Sequence, residues 1–178
     1  MELSTETVVN VLRKEYDPWI NSLTDQEKHA IEKYAWNSFD RIHKKMPFFS
    51  RLNAMLRGIS TDESSMLNEY AETISNAIRK HPLQHEVVCY RGCNHDMTNN
   101  AVVGQVVISR QFISTSVVRS RIIEGQYEYI IHVPKGASAA YIEKLSVYKK
   151  QRELLIDRET AYRVISRNGT LIELEVQL

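Results

Sequence analysis

The feature that most constrains this chain is a change of periodicity near its middle. Up to residue 82 the apolar side chains recur at helical spacing, and from residue 83 onward they gather into short β-branched runs. Helices collected in one half and strands in the other predict an α+β fold, and they argue against the alternating βαβ units of a doubly wound nucleotide fold. Thr24-Asp25-Gln26-Glu27 has the hydroxyl and carboxylate of a capping box, so a helix starts near Asp25, with Ala30, Ile31, Tyr34 and Ala35 on its apolar stripe. Leu52, Met55 and Leu56 form a second stripe ending at Gly58, and Met66, Tyr70, Ile74 and Ile78 a third. Seven strand-like runs follow at 87–88, 106–108, 127–133, 139–142, 154–156, 161–165 and 171–176, broken at Gly104, Pro134-Lys135-Gly136 and Asn168-Gly169. They predict N-terminal helices packed on a split β-sandwich of two antiparallel sheets. With no repeat or long linker, residues 1–178 read as a single domain, 1–82 helical and 83–178 mainly strands.

Charge excludes little. Lys and Arg number 23 and Asp and Glu 22, a net of +1, so no strong field points to nucleic acid or an anionic membrane. Cys89 and Cys93 lack the second ligand pair of a zinc site and read as ordinary thiols, with no metal expected. Residues 1–10 carry acids and hydroxyls where a signal peptide would be basic and then apolar, and no later run reaches membrane-spanning length. The expectation is a soluble monomer acting in a cytoplasm, after secretion or injection if it is made by another cell.

Three segments of the second half carry polar chemistry. Arg91 lies in Tyr90-Arg91-Gly92 at the end of a strand, where its planar fork suits a pyrophosphate and Gly92 would let a ligand's backbone approach. Ser114, Thr115 and Ser116 follow Phe112-Ile113 and place hydroxyls that can orient a carboxylate, although edge-strand geometry alone could use them. Gln151-Arg152-Glu153 precedes an apolar run, and strand alternation puts Gln151 and Glu153 on one face with Arg152 opposite. The polar stretch 143–150 before it reads as a mobile loop with one aromatic, Tyr148.

Together these segments resemble the Arg, Ser-Thr-Ser and Gln-x-Glu motifs of bacterial ADP-ribosyltransferase exoenzymes, particularly the clostridial Rho-modifying group. Asn53 to Arg57, within Leu52-Asn53-Ala54-Met55-Leu56-Arg57-Gly58, is similar to that family's Asn-x-x-Leu-Arg segment. The resemblance implies NAD⁺ as substrate, and it implies that Arg91 and Arg57 clamp the pyrophosphate. It further implies that Glu153 accepts a hydrogen bond from the nicotinamide ribose, that Ser114 orients Glu153, and that Tyr148 and Gln151 meet the acceptor. Asn53, Gly92, Thr115 and Arg119 complete the expected NAD⁺ site. The stretch after Ser116 is short for the family, which leaves Arg119, Arg121 or the region of Glu124-Gly125 as the contact there.

Losing nicotinamide leaves an oxocarbenium-like sugar, for which one fixed carboxylate is the natural stabiliser. The leaving group is already cationic, so no general acid is needed. A neutral Gln151 can align an amide but cannot deprotonate a guanidinium, so a protein side chain of asparagine or glutamine type is the expected acceptor. Transfer to a nucleic-acid base, plain NAD⁺ hydrolysis and an inactive binding module are the alternatives. A toxin, an injected effector and a phage-encoded modifier all fit this sequence.

Overall fold

The computed structural model describes residues 5–36 and 46–178. Four helices precede the strands: α1 (Thr5–Ser22), α2 (Asp25–Ala35), α3 (Phe48–Leu56) and α4 (Ser64–Arg79). The capping box at the start of α2 is complete, with Glu27 N–H donating to Thr24 Oγ1 at 3.2 Å and Thr24 N–H to Glu27 Oε2 at 2.9 Å. On α1, Val9, Leu12, Tyr16 and Trp19 recur at intervals of three and four and all are buried. Its two polar aromatic tips are satisfied by distant carbonyls: Tyr16 O–H donates to Ala139 O at 2.7 Å, and Trp19 Nε1–H to Ala77 O at 2.8 Å. The stripe of α4 is turned from the expected one. Leu67, Ala71, Ile74 and Ile78 face the core, while Met66 is exposed and Tyr70 half-buried.

Eight strands form the second half: β1 (Val87–Cys93), β2 (Val106–Ser109), β3 (Ile113–Ser116), β4 (Tyr127–Val133), β5 (Ala139–Tyr141), β6 (Glu153–Ile156), β7 (Thr160–Asn168) and β8 (Leu171–Gln177). The extra strand is β3, which carries the Ser-Thr-Ser segment. Their order is β2-β7-β8-β4-β1-β3-β6-β5. β1 meets β3 at only one residue pair, Tyr90 opposite Ser116, so the order divides into a five-strand and a three-strand part joined by a single bridge. The α+β class and its split strand layer are thus as the sequence implied. One pairing departs from the antiparallel expectation: β4 and β8 run parallel, because the β7–β8 hairpin lays β8 alongside β4. α1 and α4 pack on β5, and α2 and α3 pack on α4. β6 is buried along its whole length.

Candidate active site

The single bridge between the two strand parts places Arg91 of β1, Ser114 of β3 and Glu153 of β6 around one opening. Arg91 Nη1 donates to the Ser114 carbonyl at 2.7 Å, tying the guanidinium to the neighbouring strand. Glu153 is 6% exposed. Burial pushes its carboxyl up to about 7, against the opposing pull of the Ser114 hydroxyl and of the Arg91 charge. A perturbed carboxylate beside a cation in a cleft marks these residues as a candidate chemical site.

Two cavities flank Glu153. One of about 330 Å³ is lined by Tyr34, Asn53, Arg91, Ser114, Gln151 and Glu153 among others, within the size range of ligand sites. A smaller one of about 60 Å³ shares Arg91, Ser114, Gln151 and Glu153 and adds Thr115 and Arg121. Gln151 and Glu153 therefore share a cleft, but not by strand alternation. Gln151 ends a 3-10 turn, Lys149–Gln151, and Arg152 takes the left-handed conformation (φ 50°, ψ 52°) before β6 begins. The Arg152 side chain pairs with Glu143.

Tyr34 is a member that pattern reasoning assigned to the scaffold. It is buried, accepts a hydrogen bond from Asn53 Nδ2 at 3.0 Å, and is pushed up to about 12 by burial, with the Asn53 amide and the Ser114 hydroxyl opposing and the Glu153 charge adding. The signal in the sequence was a hydroxyl on an otherwise apolar helical stripe. Asn53 itself is buried, and its Oδ1 has no partner among the described residues.

Other expected members lie elsewhere or are already engaged. Arg57 is exposed, bonds Gln111, and lines a separate cavity of about 350 Å³ that meets the larger site cavity at His95. Thr115 donates its hydroxyl to Leu154 O at 2.7 Å and so ties β3 to β6. Arg119 donates to Glu128 at 2.5 Å and lies over the Tyr90 ring, outside both site cavities, whereas Arg121 lines the smaller one. Gly92 lines both site cavities and also permits a close approach of this chain's own backbone, since a Cβ there would stand 2.0 Å from Ile123 O. Tyr148 is half-buried rather than exposed and lines neither site cavity. The stretch 143–150 is anchored, since Glu143, Leu145 and Ser146 are buried. Among the described residues no group of three or more His, Cys, Asp or Glu could hold a metal ion, and no helix is long and apolar enough to cross a membrane.

Comparison with known proteins bears on this geometry. The sequence profile described as ADP-ribosyltransferase exoenzyme matches residues 12–175. A protein of Enterococcus faecalis (strain ATCC 700802 / V583) named NAD(+)--arginine ADP-ribosyltransferase EFV is 25% identical over 165 residues, covering 86% of this chain and 31% of that protein. The chain therefore spans about a third of that relative's length. Plx2a, an ADP-ribosyltransferase toxin from Paenibacillus larvae, superposes with a TM-score of 0.75 at 23% identity, covering 99% of this chain and 98% of the other. The Clostridium limosum C3 exoenzyme does so with a TM-score of 0.78 at 18% identity, covering 99% and 96%. At such identities the two structures speak for a shared fold.

Proposed function

The chain belongs to the ADP-ribosyltransferase exoenzyme family, and from that premise we propose that it cleaves NAD⁺ and transfers ADP-ribose to a protein side chain other than arginine. The observation that carries the reading is the buried Glu153 carboxylate, held beside Arg91 and Ser114 in a cavity that also receives Gln151.

In this reaction the bond between ribose C1′ and the nicotinamide nitrogen breaks, and its electron pair neutralises the departing ring. Positive charge develops on the sugar, where Glu153 stabilises it electrostatically. Arg91 holds phosphate and Ser114 holds Glu153 in register. The acceptor's lone pair then forms the new bond to C1′, and its proton leaves to solvent. Asn53, Gly92, Thr115, Arg57 and either Arg119 or Arg121 are proposed to support NAD⁺, the last pair favouring Arg121 because it lines the cavity. Arg57 would engage the dinucleotide from the adjoining cavity, reached past His95. Gln151, with Tyr148, faces the acceptor.

A neutral amide at 151 can pair with an asparagine or glutamine amide and cannot draw a proton from a guanidinium. The Enterococcus faecalis relative is named for arginine, so arginine is the second reading. A target-cell protein reached by a toxin or injected effector is the proposed setting. The test is labelled NAD⁺ with a lysate, treated afterwards with protease or nuclease, and with agmatine as a free guanidinium. Label released by protease and absent from agmatine supports the proposal. Label on agmatine moves the acceptor to arginine, and label released only by nuclease moves it to a base.

A further inference from the structure

The left-handed residue Arg152 lies between Gln151 and Glu153, which line one cavity, and it is not a glycine. A non-glycine residue there is disfavoured because its Cβ crowds the following carbonyl. The backbone on both sides is pinned: Arg152 N–H donates to Lys149 O at 3.2 Å, Val117 N–H to Arg152 O at 3.1 Å, and Ile142 N–H to Glu153 O at 3.0 Å. The Arg152 side chain is held by Glu143, at the other end of the loop.

Glu143 is 6% exposed, and both of its oxygens are occupied. Arg13 of α1 donates to them in a fork, Nε to Oε2 and Nη2 to Oε1, each at 2.9 Å. Tyr141 O–H adds a bond to Oε2 at 2.9 Å, and Arg152 Nη1 pairs with Oε1. This carboxylate lines neither cavity beside Glu153. With no free lone pair directed at the site, it has no route to substrate, yet it joins α1, β5 and the residue between Gln151 and Glu153. The carboxylate is buried while its two guanidinium partners are 37% and 31% exposed, so the pairs are weak evidence for stability.

We infer that Glu143 is a positioning residue: through the Arg152 guanidinium it holds residue 152 in the left-handed conformation that aims Glu153 and Gln151 into the same cavity. The inference rests on the proposed role of Glu153, and it predicts a difference between two changes that delete the same guanidinium. Glycine accepts positive φ freely and alanine does not. Arg152→Gly should therefore keep kcat for NAD⁺ hydrolysis within about threefold of the parent, while Arg152→Ala loses about tenfold, the population cost of the left-handed state. Glu143→Gln should lower kcat by a similar factor with KM nearly unchanged, since Arg91 and the cavity walls stay in place.

Equal rates for the Gly and Ala variants, or a Glu143→Gln protein that melts lower but keeps the parent kcat, would overturn the inference and leave Glu143 as packing alone. If the parent chain itself released no nicotinamide, the proposed function would fail first. The inference would then be judged by an NMR titration of the Glu153 carboxyl, which Glu143→Gln and Arg152→Ala should move toward the ordinary carboxylate range and Arg152→Gly should not. An unmoved midpoint in all three would overturn it.

Discussion

Arg91 Nη1 reaches the Ser114 carbonyl at 2.7 Å, while its Nε, also buried, has no partner among the described residues. A buried Nε–H without an acceptor is a costly arrangement unless something else completes it. Arg91→Lys keeps the charge but loses both the tie to β3 and the fork that can grip phosphate. NAD⁺ affinity measured by calorimetry should fall tenfold or more, as expected for a charge-assisted hydrogen bond of about 1.5–3 kcal/mol. Unchanged affinity would make Arg91 a strand tie and nothing else.

Glu153 links stability and activity to pH in opposite senses. Its carboxyl is raised from the ordinary 4.5 to about 7, chiefly by burial, so the folded chain holds the proton more tightly than the unfolded one. For an acid shifted upward, stability falls as pH rises from about 4.5 through about 7, by on the order of 3 kcal/mol for this group, and is level on either side. Glu153→Gln, which cannot ionise, should melt roughly 5–10 °C higher than the parent at pH 8, with the gap closing by pH 4. Only the ionised form stabilises a cationic sugar, so kcat/KM for NAD⁺ cleavage should rise with an apparent pKa near 7. The Gln variant should lose about 10²-fold or more at pH 8. A flat profile would remove Glu153 from the chemistry.

Gln151→Ala separates the two half-reactions. The change removes an amide from the cavity wall and leaves Arg91, Ser114 and Glu153 in place. Nicotinamide release without acceptor should persist within a few-fold, roughly the value of one neutral hydrogen bond, while labelled product in lysate collapses. Tyr148→Ala should behave alike, with a small stability loss because the ring is half-buried. Parallel loss of both activities would place these side chains in the NAD⁺ pocket itself.

Gly92→Ala tests the packing beneath the site. An added Cβ would stand 2.0 Å from Ile123 O, a backbone atom that cannot rotate away, and one on Gly125 would stand 2.6 Å from the Cys93 backbone. The segment bearing Ile123, which lines both site cavities, must then shift. Melting should drop by several degrees, about 1–3 kcal/mol for overpacking, together with weaker NAD⁺ binding. A variant that melts and binds as the parent does would contradict the close approach.

Tyr34→Phe leaves the Asn53 amide without the acceptor it bonds at 3.0 Å. Stability should fall by about 1–3 kcal/mol, the cost of an unsatisfied buried donor, read as a lower urea midpoint at unchanged slope.

The sequence by itself determined whatever depends on residues a few positions apart. The capping box at Thr24 and Glu27 needs only one turn of chain, and the strand runs need only alternation and breaks at Gly104, Gly136 and Asn168-Gly169, so these could be read directly. The motif residues Arg91, Ser114 and Glu153 were legible as candidate chemistry only together, because their order and spacing resemble the motifs of the ADP-ribosyltransferase exoenzymes while each segment alone suits an ordinary strand. Tertiary structure decided how they meet. Gln151 and Glu153 share a cleft on either side of the left-handed Arg152, whose partner Glu143 is held by Arg13, 130 positions away. Tyr34 joins them from α2 across 80 positions to Ser114, and Gly92, which lines both site cavities, also admits the close approach of Ile123 O. No local pattern encodes such contacts: they arise when the strand parts close around a buried carboxylate, and the free energy of that closure is shared among side chains that sequence periodicity treats as independent.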